Sequence, residues 1–177
     1  MLRGINVSGK NMIKMETLRV TFESLGFSNV ASYINSGNLA FDVPSPHVSK
    51  GSTFESKLVT KIEDCIKRDF GLDISVMVRE QRTVADVLAN NPFEGKYETH
   101  KQMNVLFMHE EIPAEKRDEL LSLQTADEML AIWGREIYLL ILCGFPESLF
   151  GRGLIERKLK IPTTVRNWRT VEKLAEL

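Results

Sequence analysis

The sequence predicts an α+β protein: two similar ferredoxin-like halves, each βαββαβ plus a further helix, packed into one compact unit. Three observations carry that expectation. Strand-like and helix-like patterns appear twice in the same order. The junction Val78-Arg79-Glu80-Gln81-Arg82-Thr83-Val84 aligns without gaps with Val165-Arg166-Asn167-Trp168-Arg169-Thr170-Val171, identical at five of seven positions. A chain of 177 residues with 43% hydrophobic content suits a single core that buries about 70% of the unfolded surface. The expected layout is therefore one domain over 1–177, with halves at 1–90 and 103–177 and a polar connector at 91–102.

Each element has a local reason. A short strand is expected over Leu2–Val7. Met15, Leu18, Phe22 and Leu25 recur at helical spacing between Lys14 and Leu25, and Gly26 offers a stop. Val30–Ile34 and Leu39–Val43 read as strands of a hairpin, because Asn35-Ser36-Gly37-Asn38 between them has turn chemistry. Pro44–Gly51 is a loop, and Ser52 with Glu55 makes a capping box. The helix behind it packs Leu58, Ile62, Cys65, Ile66 and Phe70. Ile74–Val78 is a β-branched strand, and Thr83–Ala89 a brief helix.

The second half begins with a strand at Met103–Met108 and a helix over Pro113–Leu123, with Pro113 and Glu115 in the first turn. Strands at Met129–Trp133 and Ile137–Leu142 flank the tight turn Gly134-Arg135-Glu136. A helix at Leu154–Leu159 is weakened upstream by Gly151 and Gly153. Thr163–Val165 forms the last strand, and Asn167 is placed to cap a closing helix, Trp168–Leu177.

Charge and composition exclude several classes. The 23 basic and 24 acidic side chains leave a formal net charge of -1, so no global field recruits nucleic acid or an anionic membrane. Nucleic acid ranks last among partners, and no strand carries the basic-glycine-aromatic pattern of an RNA-binding sheet. No apolar stretch has the length of a membrane span, and no apolar run follows a basic start as in a signal peptide. Cys65 and Cys143 form no Cys-x-x-Cys pair and no metal-ligand spacing, which fits reduced thiols in the cytoplasm. Both fall at apolar positions, Cys143 at the end of a buried strand. His47, His100 and His109 lie in or beside loops. Glu110-Glu111 and Asp127-Glu128 resemble solvated element ends. No catalytic residue, metal or cofactor is assigned.

Two segments concentrate groups suited to anions. In Arg3-Gly4-Ile5-Asn6-Val7-Ser8-Gly9-Lys10-Asn11, glycines allow backbone N–H groups to converge, with Arg3, Asn6, Lys10 and Asn11 around them and a helix beyond. The spacing of Gly4, Gly9 and Lys10 approaches a phosphate-binding loop, but Asn11 stands where a magnesium-binding hydroxyl belongs. The plain alternative is a turn that caps the helix. In Thr163–Thr170, Arg166 and Arg169 are expected at a helix N-terminus, where a cation costs roughly 0.3–1 kcal/mol. The first copy places Glu80 beside Arg79 and Arg82, and the second has Asn167 there, so the second copy is the more receptive to an anion. Trp168 could stack on a ligand or anchor a core. Ser36 and Asn38 could add polar groups from the hairpin turn, although any tight turn favours such residues.

Taken together, Leu2-Arg3-Gly4-Ile5-Asn6-Val7, Gly9-Lys10-Asn11, Tyr33-Ile34 with Ser36-Gly37-Asn38, and Thr164 with Arg166-Asn167-Trp168, Thr170-Val171 and Lys173-Leu174 resemble the signature of a bacterial family, domain of unknown function 1697. The resemblance spans essentially the whole chain. It implies two similar, intertwined ferredoxin-like subdomains and no established activity. Ser8 stands where the family usually has Gly, and Asn35 where it usually has Gln. The family also usually has several more residues ahead of the first motif.

The leading functional expectation is a binding protein in which both basic segments, with Ser36 and Asn38, converge on a small anionic ligand such as a nucleotide or phosphorylated metabolite. The alternative is a protein-interaction or regulatory module using apolar strand residues such as Trp133 and Tyr138. A monomer or weak homo-oligomer is expected.

Overall fold

The computed structural model describes residues 1–44, 52–145, 147–148 and 150–177, apart from the side chains of 52 and 53. His47 and the Ser52 side chain of the expected capping box lie outside the described residues. Element order is α1 (Met15–Ser24), β1 (Ser28–Tyr33), β2 (Asn38–Asp42), α2 (Ser52–Phe70), α3 (Gln81–Ala89), β3 (Met103–Met108), α4 (Ala114–Leu121), β4 (Glu128–Trp133), β5 (Glu136–Ile141), α5 (Leu154–Leu159), β6 (Thr163–Asn167) and α6 (Trp168–Glu176). The chain is a mixed α+β protein with two separate sheets. It divides into two compact units, Met1–Gln81 with Lys173–Leu177, and Arg82–Glu172. The division falls at the start of α3, and segment 91–102 groups with the second unit.

In the first unit α1 and α2 cover the β1–β2 hairpin. Phe22 of α1 meets Phe27 and Phe41 edge-on at 5.9 and 5.4 Å, and Phe27 stacks on Phe41 at 4.4 Å. Leu18, Phe22, Leu39, Ile62 and Ile66 share one buried cluster with Leu2, Ile5 and Val76. Burial of this kind contributes roughly 1.5–3 kcal/mol per large side chain.

The strands expected at Leu2–Val7 and Ile74–Val78 are not regular strands. They meet in one antiparallel bridge, Leu2 to Val76. Met1 and Met77 exchange two backbone hydrogen bonds of 2.8 Å, and Arg3 donates to the Ser75 carbonyl at 2.9 Å. Positive φ at Gly4 and Asn6 then turns the chain out of the extended region. The Val76 N–H, which a further strand would need, is taken by the Glu63 carboxylate of α2 at 2.8 Å. Glu63 therefore closes a position that a ladder would otherwise use.

The second unit holds a four-stranded sheet in the order β4-β5-β3-β6, antiparallel throughout. Every residue of β3 and β5 is buried, and both strands are apolar apart from Asn104 and Glu136. Leu106, Met108, Ile137, Leu139 and Ile141 pack with Leu120 of α4 and Ile155 of α5. On β5 the Tyr138 hydroxyl donates to the Val87 carbonyl of α3 at 3.0 Å. Burial pushes that phenol up to about 12.

Several surface expectations are corrected. Tyr138 is core, because alternation along β5 sends it to the face opposite Leu139. Cys143 is exposed, since β5 ends at Ile141 and the chain turns outward. Glu128 is buried as the first residue of β4, with Thr125 Oγ1 accepting from its N–H at 3.0 Å.

Three substitutions test this account. A Cβ on Gly37 would lie 2.7 Å from Leu2 Cβ, at φ +80. Gly37→Ala should cost about 2–4 kcal/mol by combining overpacking with left-handed strain. Gly95→Ala, at φ +74 with nothing within 4 Å, should cost only the strain, about 1–2 kcal/mol. Urea midpoints measure both. Tyr138→Phe should cost about 1 kcal/mol by leaving the Val87 carbonyl without its donor, read in the same way.

Candidate functional site

The Arg3–Asn11 loop is built from left-handed backbone. Gly4, Asn6, Ser8, Gly9 and Asn11 have φ of +64, +54, +49, +74 and +49. Asn tolerates this region because its short amide bonds locally. The Asn11 side chain donates to the Gly4 carbonyl at 3.0 Å, while Asn6 N–H donates to the Asn11 carbonyl at 3.2 Å and Lys10 N–H to the Val7 carbonyl at 2.9 Å. Ser8 occupies a left-handed position where glycine would carry no Cβ penalty.

Asn6 is the hub. Its Oδ1 accepts from Ile13 N–H at 2.8 Å, and its Nδ2 donates to the carbonyls of Ile13 at 2.9 Å and Asn35 at 2.8 Å. One carboxamide thus joins the loop, the approach to α1 and the hairpin turn. Asn35 contributes its backbone oxygen, so its departure from Gln leaves the contact intact. Asn38 is fully buried, and its Nδ2 donates to the Tyr33 carbonyl at 3.1 Å and Ser36 Oγ at 3.0 Å. Ser36 and Asn38 thereby shape the turn. The Leu2 N–H donates to the Gly37 carbonyl at 2.7 Å. The first two signature motifs, some thirty positions apart in sequence, form one construction in the first unit.

Arg3 and Lys10 are exposed on this construction. The Lys10 side chain has no hydrogen bond or ion pair among the described residues. Sequence reasoning missed three exposed apolar neighbours, Val7, Met12 and Ile34, exposed by 53%, 66% and 52%. Ile34 also has φ +49, an outlier for a β-branched residue. The sequence offers little signal for this, since Met12 stands beside Ile13 and Ile34 beside Tyr33.

The Thr163–Thr170 junction belongs to the second unit, and most of its polar groups are structural. Arg166 is the penultimate residue of β6, not a first-turn residue of α6. It is buried, and its Nη1 donates to Thr164 Oγ1 at 2.8 Å and the Val165 carbonyl at 2.7 Å. Burial draws its guanidinium down to about 10. Asn167 caps α6, with Oδ1 accepting from Thr170 N–H at 2.9 Å and Thr170 Oγ1 at 2.8 Å. Trp168 is buried, edge-on to Tyr97 at 6.4 Å. Arg169 is exposed on the first turn of α6.

The first copy compares closely. Arg79 Nη1 donates to the Val78 carbonyl at 2.7 Å, as Arg166 does to Val165. Arg79 pairs with Glu55 of α2 at 3.1 Å, in a contact the local expectation for Glu80 did not include.

Neither thiol is activated. Burial, aided by Asp69, pushes Cys65 up, and partial desolvation with nearby Glu128 does the same for Cys143. Among the described residues no group of three or more His, Cys, Asp or Glu could hold a metal ion, and no described helix is long and apolar enough to cross a membrane.

Asn6→Ala should destabilise by about 2–3 kcal/mol, since three backbone partners lose their contacts. Ser8→Gly and Ile34→Asn should each stabilise by about 1 kcal/mol, through relief of left-handed strain. Chemical denaturation that showed all three moving in one direction would contradict this assignment of hub and strain.

The fold is similar to that of the conserved bacterial protein SP0830 from Streptococcus pneumoniae, with a TM-score of 0.68 and 25% identity, covering 99% of this chain and 94% of that one. No curated protein matches the sequence. Residues 1–138 match the family described as protein of unknown function DUF1697, and they hold both motifs that Asn6 ties together, so the chain belongs to that family.

Proposed function

We propose that the chain consists of two related ferredoxin-like halves and binds a small anionic ligand, a nucleotide or phosphorylated metabolite, in the cytoplasm. The duplication is supported by the βαββαβ order and antiparallel pairing of β3 to β6. It is further supported by the identical junction residues and the shared bond from Arg79 and Arg166 to the preceding valine carbonyl. The first unit replaces two of its expected strands by the Leu2–Val76 bridge.

The observation that carries the binding reading is the loop itself. Five left-handed residues in nine positions are held by the Asn6 and Asn11 amides, with exposed Arg3 and Lys10 on the frame. Consecutive backbone N–H groups in such conformations favour anions, and a fixed frame lowers the ordering cost of binding. In the second unit, exposed Arg169 near the capped N-terminus of α6 offers a further cation. Arg166 and Trp168 support this region from within.

The test is thermal unfolding of the full chain with pyrophosphate, ATP and a panel of sugar phosphates. A ligand at a hundred times its Kd adds about 2.7 kcal/mol, a clear rise in Tm. Lys10→Ala should remove the rise while leaving the unliganded Tm unchanged. An unshifted Tm with every anion overturns the reading.

A further inference from the structure

Among the described residues eight large hydrophobic side chains are prominently exposed, and six of them fall in two groups with neighbours of opposite charge. The first group is Val7, Met12 and Ile34. Each is adjacent in sequence to a residue in the Asn6 hydrogen-bond set: Val7 follows Asn6, Met12 precedes Ile13, and Ile34 precedes Asn35. The segment from Arg3 to Lys14 carries three cations, Arg3, Lys10 and Lys14, and no acid. The hairpin turn beside it, Ile34-Asn35-Ser36-Gly37, is uncharged.

The second group, Leu121, Trp133 and Leu142, lies at the C-terminal ends of α4, β4 and β5 in the second unit. Leu142 N–H donates to the Asp127 carbonyl at 2.8 Å, Leu121 ends α4, and Trp133 ends β4 with 55% of its surface exposed. Segment 110–127 carries six acids, Glu110, Glu111, Glu115, Asp118, Glu119 and Asp127, against Lys116 and Arg117, for a net −4. Glu119 pairs with Lys116 and Lys158 at 3.1 and 2.7 Å, while the other five acids are exposed. Glu111 lies near the β4–β5 turn, with its Oε1 3.7 Å from a Cβ built on Gly134.

The sheet edge itself is partly closed. Gln124 Oε1 accepts from Leu130 N–H at 2.9 Å, and Thr125 N–H donates to the Glu128 carbonyl at 2.9 Å. An added strand would have to displace both contacts. A partner on this side therefore meets side chains, not the backbone ladder.

We infer that the protein self-associates: the basic apolar surface around Asn6 in one copy docks on the acidic apolar edge around Trp133 in a second copy. Apolar anchors rimmed by opposite charges supply affinity at the centre and orientation at the rim. Every copy carries both surfaces, so a two-fold pair can use the contact twice. The Arg3–Asn11 loop is common to this contact and to the anion-binding reading, but the contact does not depend on that reading.

The test is sedimentation velocity of the full chain from about 1 μM to about 1 mM, concentrations spanning weak to moderate association. Wild type should associate with rising concentration, less so as salt shortens the screening length below roughly 8 Å. Lys10→Glu and Glu111→Lys should each weaken association by about tenfold or more. Mixing the two variants should restore association, because each reversed surface meets a reversed partner. Ile34→Asn, which relieves strain, should weaken association while raising Tm, an outcome that lost folding cannot mimic. A constant monomer mass across the range overturns the inference, as does association indifferent to all three substitutions. A Tm rise with pyrophosphate in a strictly monomeric protein would leave anion binding standing and remove self-association alone.

Discussion

The first unit depends on a single carboxamide. Where the second unit secures its strands by ladders of backbone hydrogen bonds, the chain ahead of α1 makes, among the described residues, only two isolated bridges, Leu2 to Val76 and Val7 to Lys10. Asn6 supplies the missing restraint with three bonds from one side chain, to both backbone groups of Ile13 and to the Asn35 carbonyl. Its bonds fix the exit from the loop, the entry to α1 and the position of the hairpin turn. Leu2 and Ile5 can then close over Gly37, where no Cβ stands in the way. The left-handed residues between Gly4 and Asn11 follow from the need to return the chain to Asn6 within a few residues.

The two junctions show how similar segments can keep one local geometry in different surroundings. Arg79 and Arg166 both fold back onto the valine before them, so the same local conformation persists. Their surroundings differ: Arg79 has the Glu55 carboxylate, and Arg166 has the Thr164 hydroxyl. A guanidinium with hydroxyl and carbonyl acceptors in a buried setting is held less firmly in its charged form. This agrees with the downward displacement at Arg166. The exchange of Glu80 for Asn167 has a structural consequence as well, because Asn167 caps α6 and frees no side-chain oxygen for a ligand.

Much of the architecture was legible from periodicity. β3 and α5 fall where the apolar runs place them, and the other helices and the hairpins differ by a few residues at their ends. The failures have a common cause, in that local pattern does not report what a backbone group is bonded to. Leu2–Val7 looks extended, but Gly4 and Asn6 adopt a conformation compatible with many sequences. Ile74–Val78 looks like a strand, but Glu63 takes the Val76 N–H. At the site, Arg3, Lys10 and Arg169 were recognisable as surface cations from their segments. The hub role of Asn6 needed the positions of Ile13 and Asn35, and the burial of Arg166 and Trp168 needed the second sheet and segment 91–102.

The bonds that complete the first unit also bear on the order in which it can form during synthesis. Gln81 Nε2 donates to the carbonyls of Leu174 and Ala175 at 3.0 and 2.7 Å, capping the end of α6 across more than ninety residues. Met1 and Arg3 bond to the backbone of Met77 and Ser75, while Leu2 bonds to Gly37. A chain that emerges N-terminus first can assemble the β1–β2 hairpin and α1 early, but its opening residues must wait for the seventies. The last contacts of that unit wait until the whole second sheet has been made. The first unit is therefore completed only after the second sheet has been made, and until Ile74 and Val76 have emerged the Leu2 and Ile5 side chains lack part of their cover, a state that chaperones recognise by its exposed apolar surface.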